Sequence, residues 1–161
     1  MKFSYSLFVL LLFIFACGNG EDVAEDAGER GTAAAQQTAY ELMMEGHDRV
    51  MPMMGQITQT QRTITEQLAS GGHDEDYRDL LMAANEQLED ADDAMMEWMN
   101  TSRPLSELRQ EMDNDEIMAF IRERTRSIAE VETDIRTSLA NAEQILGEEA
   151  HDHDGEMGHD H

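Results

Sequence analysis

One cysteine, two prolines, one tryptophan and a single lysine stand in 161 residues. With Cys17 alone, no disulfide can form within one chain. So few prolines leave long stretches free to build a packed helical core. Basic residues are scarce as well, 11 Lys+Arg against 35 Asp+Glu for a net charge of −24. That balance excludes nucleic acid as a partner, because binding a polyanion needs a basic footprint that releases counterions. The chain also has no glycine-rich phosphate loop, no HExxH and no serine in a nucleophile elbow, which removes the common routes to an enzyme. A ferritin-like di-iron bundle needs paired Glu-x-x-His motifs, yet Met44 stands three residues before His47 and Ser70 three before His73. The length fits one modest domain with tails.

The two ends read as an address and a tail. Lys2 and the apolar run Phe3 to Phe15 form a signal peptide over residues 1–16, too short to span the roughly 30 Å of a bilayer comfortably. Ile14-Phe15-Ala16-Cys17 resembles a bacterial lipobox, and the resemblance implies that Cys17 becomes the acylated first residue of the mature chain. Residues 17–32 are glycine-rich and acidic, which predicts a lipidated flexible tether. Glu21 and Asp22 are similar to the surface-export signal of Bacteroidetes lipoproteins. Residues 148–161, EEAHDHDGEMGHDH, read as a disordered His/Asp-rich tail. With Lys2 removed, arginine is the only basic residue left, a surface suited to a saline setting or simply an acidic helical exterior.

Between the tails, residues 33–147, the periodicity is helical. Apolar and semi-apolar positions alternate by three and four through Tyr40, Met43, His47, Val50, Met54, Ile57, Gln61, Ile64 and Leu68. Ser70-Gly71-Gly72 stops this seam. A second runs through Tyr77, Leu81, Ala84, Leu88, Ala91, Met95 and Trp98, and ends at Arg103-Pro104. A third passes through Ile117, Ile121, Arg124, Ile128, Val131, Ile135, Leu139, Ala142 and Leu146, with Asp113 and Glu116 placed to cap its start. Leu105 to Met112 reads as a short helix or turn begun by Pro104. Pro52, followed by Gly55, predicts a kink in the first helix, which either lets that helix wrap the bundle or opens a carbonyl toward a ligand. The expected fold class is all-α, an antiparallel three-helix bundle or coiled coil with a disordered N-terminal tether and C-terminal tail.

The segments His47-Asp48-x-Val50-Met51-Pro52 and Met95-Met96-Glu97-Trp98-Met99 resemble the HD-x-VMP and MM-[DE]-WM signatures of small Bacteroidetes lipoproteins labelled "viral A-type inclusion protein". The similarity covers roughly residues 1–147 and implies an address and a helical fold, with no activity attached. The His-rich tail and the lack of lysine depart from that pattern.

Methionine carries the sharpest chemical signal. Met43, Met44, Met51, Met53, Met54, Met95, Met96, Met99, Met112 and Met118 gather toward one end of the expected bundle. Folding the first two helices back at Gly71-Gly72 places His47 near Met95, Met96, Trp98 and Met99. His47, Met51, Met54, Met95, Trp98 and Met99 are therefore a candidate layer for Cu(I) or Ag(I), since thioether and imidazole donors select soft ions and an indole face can hold a cation. The same methionines also suit a helical core or an adaptable partner surface, with His47 as a hydrogen-bonded packing residue and Trp98 as an anchor. On the tail, His151, His153, His159 and His161 with neighbouring aspartates suit Zn(II), Ni(II) or Cu(II), or tune charge with pH. These features predict a non-enzymatic lipoprotein of the bacterial cell envelope, an outer-membrane lipoprotein facing the periplasm or the exterior. It touches the membrane through N-terminal acyl chains and presents its Met/Trp-rich end to an envelope protein. A metal-sequestering role and a periplasmic chaperone-like helical module are the alternatives.

Overall fold

A computed structural model describes the backbone of residues 20–155 and the side chains of residues 28–147. Its elements are α1 (Gly20–Ser70), α2 (Glu75–Thr101), α3 (Leu105–Glu111) and α4 (Asn114–Gly155), and no strand occurs among the described residues. Each boundary has a local cause. Gly71 and Gly72 take φ of +71° and +91°, a region that side chains with a Cβ rarely adopt, so the chain turns there. The Asp74 carboxylate then accepts from the Tyr77 amide at 2.8 Å and starts α2. Ser102, extended at ψ 139°, ends α2, and Pro104 opens α3. The box expected at the start of α4 is present. Asp113 Oδ1 accepts from the Glu116 amide at 2.9 Å, and the Glu116 carboxylate accepts from the Asp113 amide at 3.0 Å.

α1 runs up, α2 down and α4 up. Gln36 Nε2 donates to Asn114 Oδ1, and Arg49 pairs with Glu132, so α1 and α4 are parallel. The Trp98 indole donates to the Arg124 carbonyl, and the Ser138 hydroxyl donates to the Gln87 carbonyl, so α2 and α4 are antiparallel. α4 packs along both other long helices. The core is a continuous apolar stripe that includes Met43, Val50, Ile57 and Ile64 of α1, Leu81, Leu88 and Met95 of α2, and Ile117, Ile128 and Ile135 of α4. Each such side chain contributes about 1.5–3 kcal/mol through its burial.

Two sequence expectations are corrected. Met53 rather than Met54, and Ile145 rather than Leu146, are the buried members of their pairs. The reason is that each long helix faces two neighbours. Gly46 and Met53, seven apart, lie on the side of α1 turned to α4, and Ser138 and Ile145 repeat that relation on α4 toward α2. The buried face is thus wider than one heptad seam. Helical backbone runs from Gly20 to Gly155, an extension of α1 and α4 into residues 17–32 and 148–161, the expected tether and tail. From Gly28 to Ala35 that extension is exposed apart from half-buried Thr32, so packing begins only at Gln36. Extending an existing helix needs no new nucleus, and acidic residues near its N-terminus suit the dipole.

Pro52 and Gly55 lie on the exposed side of α1, which continues through both. Among the described residues no helix is long and apolar enough to cross a membrane. The signal peptide and Cys17 lie outside the described residues, as do His159 and His161; His151 and His153 fall on the backbone of α4 with their side chains undescribed.

Candidate functional site

The two-glycine turn fixes the register of α1 against α2. Tyr40 faces Arg103, whose carbonyl accepts from the Tyr40 hydroxyl at 3.2 Å, and His47 faces Trp98, their rings stacked 27° apart at 5.6 Å between centroids. Between the two helices lies a cavity of about 270 Å³ lined by Tyr40, Met44 and His47 of α1 and by Trp98, Met99, Ser102, Arg103 and Pro104 at the end of α2.

Trp98 is 2% exposed and is held from α4. Its indole N–H donates to the Arg124 carbonyl at 3.0 Å, while the Arg124 guanidinium carbon sits 4.9 Å from the ring centroid. Arg124 Nη2 donates to the Trp98 carbonyl and to Ser102 Oγ, closing the loop between the two helices. Arg124 Nε is buried without a hydrogen-bond partner. Burial pushes this guanidinium below its ordinary range, opposed by the nearby carboxylates of Glu97 and Glu123. A cation and an imidazole already stack on the indole.

His47 keeps 19% of its side chain exposed, and its Nδ1 lies 3.0 Å from Asp48 Oδ1. An ionised carboxylate only accepts, so Nδ1 carries the proton and Nε2 of the neutral ring keeps its lone pair. Met44, three residues before His47, shares its face of α1, and Met51, four residues after, continues it at 39% exposed. On α2, Met96, three residues before Met99, does the same at 46% exposed. Acidic side chains accompany these rows: Glu41 and Asp48 beside the α1 row, Asp93 beside the α2 row, and half-buried Asp92, four residues before Met96, on the α2 row itself. The groove's own cation, Arg103, is bridged by Glu107 at 2.7 Å and Glu111 at 2.6 Å, which raise its pKa, Glu111 most strongly. The groove is thus thioether and aromatic inside and negative at its rim.

Of the six residues expected to form one layer, the structure brings His47, Trp98 and Met99 together. Met51 lies on the exposed continuation of the α1 row, Met54 is half-buried against the core, and Met95 is fully buried within it. Met44 and Arg124 complete the site although neither is among those six residues. The signals were Met44 at a three-residue spacing from His47, and an arginine on the otherwise apolar seam of α4. Among the described residues no three His, Cys, Asp or Glu side chains converge as a metal-binding group. A second cavity, about 430 Å³ between α2 and α4, is lined by Gln87, Asp90, Ala91, Asp134, Thr137 and Ser138 and has neither thioether nor imidazole.

Comparison of the chain with protein-family models, with curated proteins and with solved structures finds no match.

Proposed function

We propose that this chain is a non-enzymatic lipoprotein of the bacterial envelope, anchored to the outer membrane through Cys17, whose helical bundle holds a partner protein on the α1–α2 face. The observation that carries this reading is the Met44/His47/Met51 and Met96/Met99 pair of rows, apolar and partly exposed, running between acidic margins. Methionine side chains are unbranched and polarizable, so such a floor adapts to different apolar shapes. The acidic margins select the partner's charge. A helix with an apolar stripe flanked by Lys or Arg fits both features, its stripe on the thioethers and its cations on Glu41, Asp48, Asp92 and Asp93.

Trp98, the only tryptophan, reports directly on this groove. A model Leu/Lys amphipathic helix is expected to shift Trp98 emission, with an apparent affinity that weakens as salt is raised. A Leu/Glu helix of the same length is expected to leave the emission unchanged. Equal response to both peptides, or to neither, defeats the assignment of the partner. The anchor is tested separately: Cys17→Ser should abolish incorporation of a clickable fatty acid and free the protein from the membrane fraction. Labelling that persists in the variant overturns the lipidation.

A further inference from the structure

We propose that Met44, His47 and Met99 form a three-donor site for a soft monovalent ion, Cu(I) or Ag(I), at the floor of the α1–α2 groove. The site is independent of any docked partner. Side chains on a helix lean toward its N-terminus, so the His47 imidazole reaches back over the turn that bears Met44. Antiparallel packing brings Met99 to the same level from α2, next to the Trp98 ring on which His47 stacks. All three line one cavity and are only half-buried, so an ion reaches them without unpacking the core.

The donor chemistry sets the selectivity. Two thioethers and an imidazole favour Cu(I) and Ag(I) and offer little to Mg(II), Ca(II) or Zn(II). Asp48 supplies what a histidine ligand needs on its other side: by accepting the Nδ1 proton at 3.0 Å it orients the ring and leaves Nε2 as the donor. The same carboxylate places negative charge beside an incoming cation. Trp98 is not a ligand here. Its ring already carries His47 and the Arg124 guanidinium, so it serves as the platform that holds the imidazole and as an optical reporter. Met95, at 0% exposed, belongs to the core.

The test uses the full chain with His151, His153, His159 and His161 each replaced by Ala, so that tail imidazoles contribute nothing. Cu(I) is offered without oxygen in competition with a chromophoric Cu(I) chelator, and Ag(I) is titrated in parallel while Trp98 emission is followed. One ion per chain is expected, with the emission changing at the same equivalence point and Zn(II) failing to compete. Asp48→Ala should weaken binding by about 10–100-fold, as removing the carboxylate behind a histidine ligand typically does. Met44→Leu, Met99→Leu and His47→Gln should weaken it at least as much, whereas Met51→Leu and Met54→Leu should leave it unchanged. Far-UV circular dichroism of each variant separates lost ligands from lost fold, and the leucine variants keep side-chain volume. Uptake that survives Met44→Leu and Met99→Leu in folded protein, or that falls equally with Met51→Leu, overturns the site. So does the absence of any uptake. Because no peptide is present, failure here leaves the partner reading standing, and failure of the peptide titration leaves the metal site standing.

Discussion

Gly46 is buried where α1 meets α4, and a Cβ placed there would lie 2.8 Å from Ile128 Cγ2. Alanine is a better helix former than glycine by about 1 kcal/mol, but the atom it meets is the stiff branch of a β-branched residue inside the core. Crowding therefore wins. Gly46→Ala is expected to lower stability by about 1–3 kcal/mol in urea unfolding. Combined with Ile128→Ala, which alone costs about 2–5 kcal/mol, the double variant should lose less than the two separate losses added together. Strict additivity would mean that the close approach carries no energy. Glu132 gives a pH-dependent counterpart. The Arg136 hydrogen bond, helped by the charges of Arg136 and Arg49, holds this carboxyl below the usual glutamate range. A depressed carboxyl stabilises the fold above its unfolded value, near about pH 4.3, and loses that contribution as pH falls through the folded value. Glu132→Gln should thus melt lower than wild type at neutral pH, by the small amount typical of surface pairs. The difference should shrink below about pH 4.3.

At the scale of elements, the connection from α2 to α4 sets the depth of the bundle's end. Leu105 and Leu108 bury α3, while Arg109 donates to Gln36 Oε1 at 3.0 Å and to the Ala33 carbonyl at 2.8 Å. Gln36, itself 2% exposed, donates onward to Asn114, so all of its polar side-chain atoms are used where α1 enters the core. The box between Asp113 and Glu116 is the local start signal for α4. Asp113→Ala removes the acceptor for the Asp115 and Glu116 amides, with an expected loss of about 0.5–2 kcal/mol in thermal or urea unfolding. Asp113→Asn should keep most of it, because the amide oxygen still accepts. An equal loss in both variants would assign the effect to charge at the helix start instead.

The whole chain carries a net charge of −24, and many of its charged residues lie on exposed helix faces. Repulsion over such distances is screened within about 10 Å at 0.1 M salt. Raising sodium chloride from low to high concentration is therefore expected to raise the melting temperature, as followed by circular dichroism at 222 nm. A melting temperature that falls with salt would show that paired charges outweigh the repulsion. The same field bears on the groove: its one lining cation on α2's end, Arg103, is bridged twice by glutamates, so the groove meets solvent as an acidic margin around a thioether floor.

By itself the sequence determined the helices, their order and the turn between the first two, because those depend on spacing, capping residues and two glycines that need positive φ. It also placed His47 opposite Trp98, since a tight turn fixes the register of everything that follows. It did not determine which member of a methionine pair is buried. Met53 and Met54 are equal by composition, and only the presence of α4 on the far side of α1 draws Met53 inward. Nor did it separate Met95, sealed in the core, from Met44 and Met99, which line the cavity. Helical periodicity gives an angle around one axis. Whether that angle meets a neighbour, a cavity or water is decided by where the other two helices lie.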